Sequence, residues 1–218
     1  LLLVGTALLI GILVGVPLGI LTALRQYSFI DFFLTGVSFL GISMPAFIAG
    51  IFGLYVFSIL LGWFPSGGMR PVDRTPTIGD TIHYLMLPSL ILSLQYVASY
   101  MRYTRFSMLE VIHSDYITTA RSKGLRERGV VWRHMVPNAI LPVITVIGYN
   151  VGFILAGSAL IEAVFAWPGI GRLLFESISK RDYPVMLAIL LMVSATVVVA
   201  NLVTDIVHRL IDPRIARQ

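Results

Sequence analysis

Five long stretches of the chain contain no charged residue, and this pattern constrains the fold more than any other feature of the sequence. They cover residues 1–24, 32–69, 81–101, 134–161 and 185–204. A helix of about 20 apolar residues crosses the hydrocarbon layer of a bilayer. A backbone in lipid must satisfy its own hydrogen bonds, so such stretches form helices. The sequence therefore predicts an all-α integral membrane protein, a polytopic bundle of about five membrane-spanning helices.

We predict a single transmembrane domain over residues 1–218. A polar segment at about 110–136 separates the third predicted span from the fourth. The five predicted spans lie at about 1–24, 32–62, 84–104, 137–162 and 185–208.

The composition excludes several classes of protein. Charged residues make up 12% of the chain, whereas soluble domains usually contain about 25%. The chain has no cysteine, and its four histidines show no metal-ligand spacing. No Ser/His pair, aspartate pair or His-x-x-x-His cluster lies in a predicted span. We therefore expect no catalytic site, no bound metal and no cofactor in this chain.

The basic residues predict the orientation in the membrane. Seven of the sixteen Lys and Arg residues lie between Arg102 and Arg133, and three more lie in the C-terminal tail. Basic residues collect in cytoplasmic loops. This rule places the polar segment and the C-terminus in the cytoplasm and Leu1 outside, which predicts a further helix before Leu1. The same rule accounts for the net charge of +5 without a nucleic-acid partner.

The polar segment is predicted to form a helical hairpin. Ser114 or Asp115 can cap a first helix, which Gly124 would end. A second helix can run from about Arg126 until Pro137. One interpretation is a solvated loop beside anionic lipid headgroups. The other is a docking element for a cytoplasmic partner.

The hairpin resembles the cytoplasmic loop of bacterial ABC-importer permeases, which reads Glu-Ala-Ala, three residues, Gly, nine residues and Ile-x-Leu-Pro. Thr118, Thr119 and Ala120 stand at the Glu-Ala-Ala positions, and Gly124 stands at the glycine. Residues 134–137 read HMVP where the family has Ile-x-Leu-Pro. Further stretches are similar to the dipeptide/oligopeptide and nickel permease branch, and together they extend over essentially the whole chain: GISMPAF, GWFPSGG, DYITTARSKGL, RHMVPNAILPVITV, AVFAWPGIGRLL, RDYPV and the terminal DPR.

That resemblance implies the type I ABC-importer permease fold, with a family helix before Leu1 that this chain does not include. It implies that the first hairpin helix is a coupling helix seated in a groove of an ATP-binding subunit. The candidate interface residues are Tyr116, Thr118, Thr119, Ala120, Arg121, Ser122, Lys123, Gly124 and Leu125.

The resemblance also implies partners and a location. The expected partners are two ATP-binding subunits that hold ATP and Mg, a second and different permease chain, and an extracytoplasmic substrate-binding protein. The expected location is a bacterial or archaeal cell membrane. The sequence has no G-x-x-x-x-G-K-[ST] phosphate loop of its own, so the predicted role is that of a non-catalytic permease subunit.

Several residues are candidates for the translocation pathway, each with a structural alternative. Glu162 follows a 28-residue uncharged run, and it could instead pair with Arg172 or Arg181 at the outer interface. Pro45 is expected to kink its span, either for packing or to shape the pathway. The full set of pathway candidates is Pro45, Tyr96, Glu162, Phe165, Trp167 and Asp182.

The predicted cargo is dipeptides and oligopeptides. The same branch carries nickel, opines and sugars, and these are the alternative cargoes. A secondary transporter driven by an ion gradient is a further alternative, but it would need acidic residues at the membrane midplane. The centres of the predicted spans contain none.

Overall fold

The computed structural model describes residues 1–71 and 75–211, with side chains described through Val207, and the regular structure in these residues is helical. This confirms the predicted all-α fold. The terminal Asp-Pro-Arg motif at 212–214 and the location of the C-terminus fall outside the described residues. The helices are α1 (Leu2–Leu24), α2 (Phe29–Ser43), α3 (Ala46–Leu60), α4 (Ile78–Ile112), α5 (Asp115–Ser122), α6 (Glu127–Gly152), α7 (Ala159–Val164), α8 (Ile170–Lys180) and α9 (Tyr183–Ile211).

Four of these helices, α1, α4, α6 and α9, are long and apolar enough to cross a membrane, and the pair α2 and α3 would make a fifth span. The axes of α2 and α3 differ by 98°. The region predicted as one span over 32–62 thus contains two helices with a sharp bend between them. Met44 adopts an extended conformation (φ −84°, ψ 120°), because a residue that precedes proline is disfavoured in the helical region. Pro45 thus breaks the span instead of only kinking it.

Helix α4 occupies the centre of the bundle and packs against α1, α2, α3 and α6. Gly11, Gly15 and Gly19 recur every four residues on α1, a spacing that predicts a close helix contact, and this glycine stripe faces α4. A Cβ atom added to Gly15 would lie 2.7 Å from the Val97 carbonyl oxygen, and one added to Gly19 would lie 2.6 Å from the Met101 carbonyl oxygen. The stripe therefore lets two backbones meet, as proposed for small residues in membrane helices.

The predicted fourth span at 137–162 is displaced along the chain. Helix α6 begins at Glu127, passes through Pro137 without a break and ends at Gly152. A wider, π-helical turn at Val131–Met135 precedes this proline, and it includes Arg133, whose carbonyl would otherwise meet the proline ring. After Gly152 the apolar run continues into a turn and the short α7, where Ile161 is completely buried. Hydropathy alone extended the span into residues that pack inside the protein.

Two buried clusters lie at opposite ends of the bundle. At the end that carries the polar hairpin, called here the hairpin end, Met108, Ile117, Val130 and Met135 are all completely buried. The cluster at the other end, called here the α8 end, includes Leu3, Leu8, Leu87, Phe165 and Trp167.

Candidate functional site

The polar hairpin consists of α5, a turn and the first part of α6. Only His113 and Ser114 separate α4 from α5. Ile117 and Ala120 point into the hairpin-end cluster. The hairpin is therefore packed onto the bundle, and its position depends directly on the spans α4 and α6.

Eight of the nine predicted interface residues are exposed on the surface of the hairpin. Ala120 is the exception, since it is 7% exposed and packs inward. The exposed eight are Tyr116, Thr118, Thr119, Arg121, Ser122, Lys123, Gly124 and Leu125.

The turn after α5 depends on Gly124. Its φ angle is +74°, and its N–H donates to the Arg121 carbonyl oxygen at 2.9 Å. A Cβ atom placed on this glycine would have no neighbour within 4 Å. The position thus requires glycine for its backbone conformation and leaves open space at the tip of the hairpin.

An ion pair braces the two arms of the hairpin. Arg121 donates to both carboxylate oxygens of Glu127, at 2.6 Å from Nη2 and 3.2 Å from Nε. The hydrogen bond to this carboxylate raises the pKa of the Arg121 guanidinium. The stabilisation that comes from the charged Arg121 is fully present below the ordinary pKa of arginine, and it is lost only as pH rises through the raised pKa. Arg121 is therefore charged at physiological pH.

The tip of the hairpin is basic. Lys123, Arg126 and Arg128 are exposed, and no ion pair to them is found in the part of the chain that the structure describes. Acidic groups on a partner protein would therefore favour its binding at this tip.

The broken pair α2 and α3 borders a recess within the bundle. The recess has a volume of about 230 Å³ and is lined by apolar residues of α2, α3 and α4, among them Met44 and Ala46 on either side of Pro45. Among the described residues of its lining, Gln95 supplies the only amide side chain. Sequence reasoning missed Gln95, although an amide in the middle of a charge-free span is a recognisable signal.

Gln95 differs from nearby polar residues because its side chain makes no hydrogen bond within the described part of the chain. The hydroxyl of Ser93 donates to the Leu90 carbonyl oxygen at 2.7 Å, and Asn150 donates to the Tyr100 hydroxyl at 3.1 Å. The Gln95 carboxamide has no hydrogen-bonding partner among the described residues. It is free to meet a group from outside this chain.

Tyr96, the next residue, faces a different neighbour. A Cβ atom on Gly11 of α1 would lie 2.5 Å from the Tyr96 Cβ, and the Tyr96 ring stacks on Tyr100 at 6.1 Å between centroids. Tyr96 therefore lies at the α1–α4 contact and does not line the recess at the break.

The four remaining pathway candidates lie at the α8 end. Glu162 is 3% exposed, and its carboxylate accepts the backbone N–H of Arg172 at 2.8 Å. This bond caps the N-terminus of α8, where a negative charge is favoured. The Arg172 side chain instead pairs with Glu176 at 2.9 Å. No ion pair of Glu162 with Arg172 or Arg181 is present among the described residues.

Phe165, Trp167 and Asp182 are held by the fold of the same region. Phe165 and Trp167 are 1% and 4% exposed in the α8-end cluster. The exposed Asp182 accepts the N–H of Val185 at 3.3 Å, in the first turn of α9. The structure thus places the neighbours of Pro45 in the lining of the recess with Gln95, and it gathers Glu162, Phe165 and Trp167 elsewhere. No group of three His, Asp or Glu side chains that could hold a metal occurs among the described residues.

An ion pair between the buried Asp31 and the partly exposed Arg105 was also missed from the sequence. Arg105 donates to Asp31 at 2.8 Å and 2.9 Å, and it joins α2 to α4 near the hairpin. The two residues are 74 positions apart, so no local pattern indicates their contact.

Comparison with known proteins gives consistent similarities over nearly the whole chain. Residues 15–217 match the family model described as "Binding-protein-dependent transport system inner membrane component". A putative peptide permease protein of Brucella suis biovar 1 (strain 1330) is 46% identical, over 99% of this chain and 67% of that protein. The oligopeptide transport system permease protein AppB of Bacillus subtilis (strain 168) is 42% identical, over 99% of this chain and 68% of that protein. The chain therefore spans about two thirds of the length of these relatives.

A solved structure shares the fold. It is the MetNI methionine ABC transporter in an inward-facing conformation, with a TM-score of 0.73 and 16% identity. The similarity covers 96% of this chain and 91% of the chain in that structure.

Proposed function

The chain belongs to the family of binding-protein-dependent transport system inner membrane components, and on that premise we propose that it is the non-catalytic permease subunit of an ATP-driven peptide importer. Membership in this family makes it a multi-pass membrane permease. The observation that carries the rest of the proposal is the hairpin, which is exposed on one side and packed onto the bundle on the other.

The hairpin is suited to receive movement from a separate ATP-binding subunit. Its exposed face, from Tyr116 to Leu125, docks on that subunit, which holds the ATP and Mg. Its buried face rests on Met108 and Met135 of the two adjoining helices. Because α5 follows α4 after only two residues and α6 begins within the hairpin, a displacement of the hairpin displaces both spans.

The proposed cargo is peptides. The relatives from Brucella suis and Bacillus subtilis are named as peptide and oligopeptide permeases. In this chain, the recess at the Pro45 break provides a place for such a cargo, and the Gln95 carboxamide can donate to and accept from a peptide bond. Nickel, opines and sugars are the alternative cargoes, and competition with labelled peptide in an uptake assay distinguishes them from peptides.

The proposed assembly contains this chain, a second permease chain, two ATP-binding subunits and an extracytoplasmic substrate-binding protein. The hairpin end faces the cytoplasm. The exposed basic residues Lys123, Arg126 and Arg128 support this orientation, since basic residues remain on the cytoplasmic side.

The assembly is tested by isolating the tagged full-length protein under mild extraction and identifying the chains that accompany it by mass spectrometry. We expect an ATP-binding chain and a second permease. A variant in which Lys123, Arg126 and Arg128 are all changed to Glu should lose the ATP-binding chain and keep the second permease. Isolation of this chain alone from several detergents, still active in transport, would support an ion-driven secondary carrier instead.

A further inference from the structure

Asp31 and Arg105 form a two-point ion pair between α2 and α4, called here the clamp. Arg105 Nε lies 2.8 Å from Asp31 Oδ1, and Arg105 Nη2 lies 2.9 Å from Asp31 Oδ2. Asp31 is 2% exposed, so its charge is removed from solvent. The planar guanidinium and carboxylate resist both sliding and rotation of one helix against the other, because two parallel hydrogen bonds fix their relative orientation.

The Asp31 carboxylate also holds the turn between α1 and α2. It accepts the N–H of Tyr27 at 3.0 Å and the hydroxyl of Thr35 at 3.2 Å. Tyr27 has a φ angle of +62°, a left-handed conformation that is unfavourable for a residue with a side chain. The bond from its N–H helps to hold this conformation. One carboxylate therefore joins the end of α1, the start of α2 and the side of α4.

The position of the clamp connects the two functional features described above. Arg105 lies in α4 two turns before Ile112, where the helix ends and the hairpin follows. Asp31 lies in the first turn of α2, and the other end of α2 is the break at Pro45. Closer to the break, a Cβ atom added to Gly41 would lie 3.5 Å from the Leu94 carbonyl oxygen, and the Arg102 guanidinium of α4 lies 5.6 Å from the centroid of the Phe39 ring of α2.

We propose that Asp31 and Arg105 are positioning residues that transmit the displacement of the hairpin from α4 into α2, and so to the broken helix pair. The proposal rests on the coupling function given above. A buried ion pair contributes little net stability over well-packed apolar residues. What the clamp supplies is a two-point contact that fixes the register between α2 and α4.

The test uses the complete transport complex in proteoliposomes and measures peptide transported per ATP hydrolysed. Asp31→Asn removes the charge and keeps the shape, whereas Arg105→Lys keeps the charge and removes the second hydrogen bond. In both variants we expect this ratio to fall on the order of fivefold, with ATP hydrolysis retained. The matched control is Glu176→Gln, which removes an exposed ion pair at the α8 end and should leave the ratio unchanged.

A second readout separates transmission from stability. The chain has no cysteine, so spin labels can be placed at Gly36→Cys on α2 and Val198→Cys on α9, both at solvent- or lipid-accessible positions. With the clamp intact, ATP binding should change the distance between the labels. In Asp31→Asn the change should be lost, although the complex remains assembled.

The outcomes are distinguishable. Absence of ATP-driven uptake without any substitution would contradict the proposed function itself. Normal uptake per ATP and a normal α2 displacement in Asp31→Asn would overturn the clamp. The double variant Asp31→Asn with Arg105→Gln leaves no unpaired buried charge. If both Asp31→Asn and this double variant failed to assemble, the pair would be assigned to folding and the proposed role of the clamp would be overturned.

Discussion

At the scale of single residues, two positions support the backbone, Gly124 through its own conformation and Glu162 through its carboxylate. Gly124 adopts a positive φ at an open turn, and Glu162 caps α8 by accepting a backbone N–H. The sequence indicated a helix stop at Gly124, because glycine is the usual residue at such a turn. The role of the Glu162 carboxylate could not be predicted, since the accepting geometry depends on how residues 153–169 fold back.

We predict that Gly124→Trp uncouples transport from ATP hydrolysis and leaves membrane insertion intact. The side chain would add bulk at the tip of the proposed interface, and a left-handed conformation costs a residue other than glycine about 1–2 kcal/mol. The measurement is uptake and ATP hydrolysis in proteoliposomes. Gly36→Trp is the control, because Gly36 is also exposed, also has open space for a Cβ atom and lies on α2, outside the hairpin. Normal uptake by Gly124→Trp would exclude this turn from the interface.

We predict that Glu162→Ala lowers stability by about 1–3 kcal/mol, because the partly buried N–H of Arg172 would lose its acceptor. The comparison is Glu176→Gln, an exposed pair whose loss should cost less than about 1 kcal/mol. Thermal unfolding in detergent, followed by tryptophan fluorescence, gives both values. Unchanged stability of Glu162→Ala, together with altered cargo preference, would return this residue to the pathway.

At the scale of elements, the helices were predictable and the angles between them were not. The glycine spacing in α1 indicated a close helix contact, and the structure places α4 there. Prolines alone did not predict where a helix breaks. Pro17 and Pro137 follow π-helical turns and remain within continuous helices, whereas the helices on either side of Pro45 are bent by 98°. Whether a proline bends or breaks a helix depends on the turn before it and on what packs nearby.

We predict that Gly15→Leu severely destabilises the bundle. Its Cβ would lie 2.7 Å from the Val97 backbone oxygen, and overpacking of this kind costs about 1–3 kcal/mol or more. Gly36→Leu is the control, since a Cβ there has no neighbour within 4 Å. The yield of monodisperse protein and its thermal midpoint in detergent are the measurements. Equal behaviour of the two variants would contradict the α1–α4 contact.

At the scale of the whole molecule, the predicted membrane orientation follows from charge, and the spans follow from hydropathy. Both are averages over many residues, so they can be derived from the sequence. The recess beside Gln95 and the Asp31–Arg105 pair could not be, because each depends on contacts between distant segments of the chain. Such contacts are set by tertiary packing, which local patterns do not specify.

We predict that Lys123→Cys, in protein freed of the ATP-binding subunit, reacts with a membrane-impermeant maleimide only from the cytoplasmic side. Lys180→Cys, at the α8 end and 74% exposed at its side chain, should react only from the outside. These 218 residues contain no cysteine, and labelling of the same protein without either substitution gives the background. Labelling is compared in right-side-out and inside-out vesicles. The reverse pattern would invert the proposed orientation.

The central claim is that this chain moves peptides only when a separate subunit hydrolyses ATP. The most direct measurement is uptake of a labelled dipeptide by proteoliposomes that contain the complete complex, with ATP supplied to the hairpin side. The account predicts that the dipeptide accumulates only with ATP, the binding protein and an intact hairpin. Unlabelled peptide should reduce this accumulation by competition, whereas nickel and sugars should not. Accumulation by this chain alone, driven by an ion gradient without ATP, would contradict it.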